Sequence, residues 1–62
     1  MFLYPEQIDE RLSWPLGQAL RLARRGRLPH VVLPDGSIRF EWLAIEPLIK
    51  RVPETSREEA HA

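Results

Sequence analysis

A chain of 62 residues that contains no cysteine has to be held together by packing alone. Neither a disulfide nor a thiolate-bound metal can staple it. A domain of this size buries only about 60% of the surface its unfolded chain exposes. That allows one domain and leaves little room for a deep catalytic pocket. The core material is two Trp, two Phe, one Tyr and the leucines. Trp14 and Trp42 are therefore expected inside, as core anchors, rather than outside as stacking platforms.

No stretch approaches the roughly 20 apolar residues that span a bilayer. The opening "MFLYPEQIDE" turns acidic after a very short apolar run, unlike a secretory signal. The expectation is a soluble, cytoplasmic protein.

The formal net charge of zero conceals a pattern. Residues 1–15 carry Arg11 against Glu6, Asp9 and Glu10, for a net −2. Residues 16–39 carry Arg21, Arg24, Arg25, Arg27 and Arg39 against Asp35, for +4. Residues 40–62 carry three basic and five acidic side chains, for −2. A basic middle between acidic ends fits a directed electrostatic surface. It also fits a solvated, arginine-rich helix face, and charge alone slightly favours this second reading.

Local signals divide the chain. "PEQIDERL" reads as a first helix over residues 5–12: Pro5 suits a first helical position, Glu6 faces the positive end of the helix dipole, and Ile8 and Leu12 share a face. Pro15 can open a second helix but not lie inside one, so Ser13 or Trp14 is expected to precede it, with Ser13 the better cap. The second helix is expected over about residues 15–25. Leu16, Ala19, Leu20, Leu22 and Ala23 fall on one arc, and Gly17, Gln18, Arg21, Arg24 and Arg25 on the other. Gly26 stands where a left-handed C-cap belongs. "HVVL" and "SIRF" read as strands joined through Pro34, Asp35 and Gly36, with Gly36 supplying a positive φ. "EWLAIEPLIKRV" reads as a third helix from Ala44 or Ile45 to Val52, with Pro47 in its first turn and Ile45, Leu48, Ile49 and Val52 on its apolar side. Residues 53–62 lack apolar periodicity and are expected to form a disordered, acidic tail beyond a domain of residues 1–52.

Nothing in this pattern resembles a nucleophile with its base, and there is no Gly-rich phosphate loop, so no enzyme and no cofactor are expected. His30 has only His61 for company, which is not a metal-binding set. Glu6, Asp9 and Glu10 are expected as a solvated surface.

The order helix, tight turn, helix, Gly-Arg-Leu-Pro, hairpin, helix resembles the excisionase-like and MerR-like (AlpA-type) winged helix-turn-helix domains. The residues that carry the resemblance are "PEQIDERL", "LRLARRGRLP" and "HVVLPDGSIRF". The most specific piece is "RRGRLP", followed by the hairpin arginine of "IRF". The likeness runs without gaps from Pro5 to about Phe40 and extends through Ile49. The chain departs from the family pattern at Pro15, where such domains carry Ser or Thr, and at Tyr4, near which Thr or Ser is usual. Gly17, Gln18 and Ala19 are also smaller than the polar residues common there.

The resemblance implies a small α+β fold of helix-turn-helix, two-stranded wing and C-terminal helix. It implies a sequence-specific DNA-binding protein, either an excisionase-type directionality factor of a phage or mobile element or a small transcriptional regulator. The second helix would enter the major groove, which admits one α-helix. Gln18, Arg21 and Arg25 would face base edges, and Gly17 would let the backbone approach. Arg24 at the edge of the arc would meet phosphate. Arg39, the wing arginine, would meet phosphate or the minor groove. Arg27 would contact phosphate or merely cap carbonyls. The implied partners are double-stranded DNA, an integrase or recombinase, and further copies of the chain bound cooperatively. The alternative is a protein-interaction module that keeps the fold and recruits a partner, such as an integrase, without reading DNA. The basic arc favours the first reading, because an adaptor needs no cations there.

Overall fold

The structure, a computed structural model, describes residues 1–53. Helix α1 spans Pro5–Arg11 and α2 spans Gln18–Arg24. Strands β1 (Val31–Val32) and β2 (Ile38–Arg39) form an antiparallel pair, with Val31 opposite Arg39 and Val32 opposite Ile38. A short α3, Trp42–Ile45, runs into a 3-10 turn over Glu46–Leu48. The described residues form a small α+β fold of three helices and one two-stranded sheet.

Helix α1 begins as its sequence suggests. Pro5 takes the first turn, and Gln7 reaches back so that its Oε1 accepts the Tyr4 backbone N–H at 2.7 Å. Its end is less orthodox. Ser13 adopts φ 57, the left-handed region. The Trp14 N–H then donates to the Asp9 carbonyl at 2.8 Å and the Ser13 N–H to the Glu10 carbonyl at 3.2 Å. Those two bonds are a Schellman closure. Ser13 thus ends α1 and does not cap α2, contrary to expectation.

Helix α2 starts later than expected. Gly17 stands at its N-cap with φ 95, a conformation no helix continues through. Pro15 and Leu16 therefore lie in the connecting turn, and Leu16 is 79% exposed instead of joining the apolar arc. The other end matches expectation. Gly26 has φ 72, its N–H donates to the Ala23 carbonyl at 2.9 Å, and the Arg27 N–H donates to the Leu22 carbonyl at 2.9 Å.

The hairpin turns where Pro34, Asp35 and Gly36 stand. Gly36 has φ 90, its N–H reaches the Leu33 carbonyl at 2.8 Å, and the Leu33 N–H reaches the Ser37 carbonyl at 2.8 Å. Beyond β2 the ladder changes sides. Phe40 exchanges two backbone bonds with Leu3, at 2.7 and 2.9 Å, so the N-terminal stretch flanks β2 opposite β1.

The third helix is shifted from its expected place. It begins at Trp42, and regular α geometry is gone by Glu46. Pro47 has no N–H to give the carbonyl four residues back, and its ring crowds that carbonyl. The chain is extended at Ile49, and Leu48, Ile49 and Val52 are left exposed instead of forming a buried stripe.

The core takes one or two residues from each element. Ile8, Ala19 and Phe40 are fully buried, and Leu3, Ala23, Leu28 and Ile45 nearly so. Burying a side chain such as Ile8 or Phe40 is worth about 1.5–3 kcal/mol. Ala19 and Ala23 present no bulk to α1, so the two helices pack closely. Trp14 and Trp42 pack against the core while half-buried, and the Arg11 guanidinium lies 4.9 Å from the Trp42 ring centre. The expected acidic tail, apart from Pro53, lies outside the described residues.

Candidate functional site

The carboxylate of Asp9 ties α1 to the start of α2. It is 3% exposed. Its Oδ2 accepts the Gly17 N–H at 2.8 Å and its Oδ1 the Ala19 N–H at 2.7 Å. These are two of the donors that a helix start leaves unbonded. A negative charge is also favoured there by the helix dipole. Asp9 is thus a buried cap, not part of a solvated acidic surface as expected; Glu6 and Glu10 are exposed.

With Ala19 and Ala23 turned inward, the opposite side of α2 presents Gln18, Arg21 and Arg24. Arg21 Nη1 donates to Gln18 Oε1 at 2.6 Å, so these two side chains form one polar unit one helical turn apart. Arg25 follows as the C-cap residue, still close to helical, and is exposed. Three arginines at the C-terminal end of a helix also complement its negative pole.

Gly17 is not on this outer face. It precedes the helix, and its N–H is committed to Asp9. A Cβ there would meet no other part of the protein within 4 Å, so within the fold the position needs glycine for its φ. Arg27 lies past the helix with an exposed side chain. The carbonyl capping at that point comes from its backbone N–H on Leu22, which leaves the guanidinium to other uses.

Arg39 stands apart from the α2 group. It is half-buried on β2, its guanidinium lies 4.4 Å from the Tyr4 ring centre, and its Nη1 donates to the Ile38 carbonyl at 2.9 Å. No local sequence signal marks Tyr4 as its partner, since the pairing depends on the Leu3–Phe40 bridge. At the hairpin tip, the Asp35 carboxylate accepts the Ser37 hydroxyl and, at 3.0 Å, the Ser37 backbone N–H. These bonds, the hydroxyl first, hold its carboxyl below the usual aspartate range.

His30 Nδ1 lies 2.9 Å from the Leu28 carbonyl, so that nitrogen carries the proton and donates. Among the described residues no three His, Cys, Asp or Glu side chains gather as a metal site. No described helix is long and apolar enough to cross a membrane.

Arrays of guanidinium groups on one helix can neutralise phosphates and donate bidentate hydrogen bonds to guanine, and an amide can pair with adenine. No protein-family model matches the chain, and no curated protein or solved structure matches it either.

Proposed function

We propose that this chain is a sequence-specific DNA-binding protein with a winged helix-turn-helix arrangement. In that reading α1, the turn and α2 are the helix-turn-helix, and the hairpin is the wing. The observation that carries it is the outer face of α2: Gln18, Arg21, Arg24 and Arg25 are directed away from a core that Ala19 and Ala23 complete.

Arg21 lies at the middle of that face and reads a base edge, with Gln18 held beside it. Arg25 extends the same row. Arg24 and Arg27 neutralise phosphates at either side. Arg39 meets phosphate or the minor groove from the wing, steadied on the Tyr4 ring. The excisionase and regulator roles use this same chemistry, and the gene beside the one encoding this chain distinguishes them. One small module buries about 600–1,000 Å² on DNA. Binding therefore needs further copies or a partner such as an integrase or recombinase on the same duplex. In either role the protein works in the cytoplasm, on the nucleoid or on mobile-element DNA.

The test is selection of binding sites from random duplexes, followed by affinity for selected and scrambled DNA across a salt series. Three phosphate contacts, by Arg24, Arg27 and Arg39, give a slope of log K against log salt of about −2.7. Selection that enriches no sequence, together with a flat salt response, overturns the reading.

A further inference from the structure

We propose that the apolar groove between the end of α2 and the 3-10 turn is a docking surface for an amphipathic, acid-flanked segment of another protein. The groove has a volume of about 340 Å³. Its floor is Ile45 and Leu28, both buried, and half-buried Trp14 and Leu22 form its sides. Leu48 and Ile49 stand at its lip, 55% and 40% exposed. Val52, three residues on, is 60% exposed. Apolar surface concentrated beside a tryptophan marks an interaction site more often than scattered leucines do.

The groove is open because Pro47 ends the helix. A continued helix would have carried Leu48 and Ile49 inward. The chain is extended at Ile49 instead, and the described residues leave the space uncovered.

Charge identifies the occupant. Among the described residues Arg27 is the only charged one lining the groove, and exposed Lys50 and Arg51 directly follow Ile49, so the border stays net basic even with exposed Glu46 on the same turn. A second copy docked groove to groove would bring these cations against their equivalents, which is unfavourable. Residues 54–62 of this chain contain no apolar residue larger than alanine, so they cannot fill it. A small ligand needs several convergent polar groups, and the groove offers one guanidinium. What fits is a row of aliphatic side chains at helical spacing with carboxylates beside it, the helix-in-groove mode of recognition. The groove uses the Leu22 side of α2 and not the Arg21 side. Such a partner can be held while α2 faces elsewhere, with Arg27 the one residue shared by the two readings, and the proposal does not depend on DNA binding.

The probe is a synthetic helical peptide with leucines at positions i, i+4 and i+7 flanked by glutamates, titrated into the isotopically labelled full chain. Saturable shifts are expected at the Trp14 indole N–H and the Leu48 and Ile49 amides. Leucine-to-alanine peptide should produce none, and exchanging its glutamates for lysines should weaken binding about tenfold or more. Ile49→Glu should abolish binding with the thermal midpoint unchanged, since Ile49 is at the surface; Leu48→Ala should weaken it and serves if Ile49→Glu does not fold. Absence of saturable shifts overturns the proposal, as does binding that persists in both variants. Shifts of the same residues with protein concentration alone assign the groove to a second copy and overturn it too. No DNA is present in this experiment, so failure of the DNA-binding reading leaves its outcome intact.

Discussion

Asp9 on α1 accepts the backbone N–H of Ala19 at 2.7 Å, so the first helix supplies the cap of the second. Its other oxygen takes Gly17. The connection between the helices is thereby tied at a buried point and not through the turn residues themselves.

Asp9→Ala should therefore be among the most damaging single changes outside the apolar core. It leaves two backbone donors without their partner, for a loss of about 2–4 kcal/mol. Asp9→Asn keeps one good acceptor and should lose less. The check is the urea midpoint of each variant. A shift for Asp9→Ala equivalent to under about 0.5 kcal/mol contradicts the capping role.

Ser13 closes α1 at φ 57, where glycine is at ease and serine is not. Ser13→Gly should raise stability by up to about 1 kcal/mol, reduced by the greater freedom glycine gives the unfolded chain. Thermal unfolding measures it. A lower melting temperature would show that the Ser13 side chain contributes more than its backbone strain costs.

Gly36 stands at φ 90 at the hairpin tip. Gly36→Val should weaken or shift the register of β1 and β2, because a β-branched residue tolerates positive φ poorly. Unchanged amide shifts of Val31, Val32, Ile38 and Arg39 in that variant would count against the turn geometry.

The bonds from Ser37 lower the pKa of Asp35. The sign follows from linkage: the stabilisation is complete above the unfolded aspartate pKa and is lost as pH falls through the lower folded one. The hairpin tip should thus keep its neutral-pH spectrum until strongly acidic conditions. Ser37→Ala should move the Asp35 titration upward, followed by carboxyl carbon NMR. An unmoved midpoint contradicts the assignment.

Arg21 and Arg39 should fail differently on DNA. Arg21→Ala is expected to cost about 1–3 kcal/mol on the selected site and to relax discrimination there. Arg39→Ala is expected to weaken selected and scrambled duplexes alike and to reduce the salt slope by about one. Wild-type affinity in both variants on every duplex would make the basic face a solvated one only.

What was legible in the sequence was what neighbouring residues decide. Gly26 and Gly36 mark their turns because each bend is made by the residues beside it. The division of α2 into Ala19 and Ala23 inside and Gln18, Arg21 and Arg24 outside follows from the helical period. The misreadings involve longer reach or competing local choices. Pro15 is compatible with a helix start, yet Gly17 takes the left-handed conformation and delays it. Pro47 suits a first turn, but α3 begins at Trp42, so the proline meets it at its end. Asp9 looks like any exposed helix carboxylate until a chain segment eight to ten residues away presents its N–H groups. Tyr4 beneath Arg39 was equally illegible, because nothing near either residue announces the other.

The bridge between Leu3 and Phe40 bears on how the molecule first acquires its shape during synthesis. During synthesis Leu3 emerges thirty-seven residues ahead of its backbone partner, Phe40. Helices α1 and α2 can meet early, since Asp9 and Ala19 are only ten residues apart. The pair then has neither Phe40 nor Ile45 to cover Ile8, Ala19 and Ala23. Until those residues emerge, the nascent chain leaves its future interior uncovered, and the segment around Leu3 has no strand to join. A fusion partner placed before Met1 would be carried by that waiting segment, two residues from the pairing that completes the sheet.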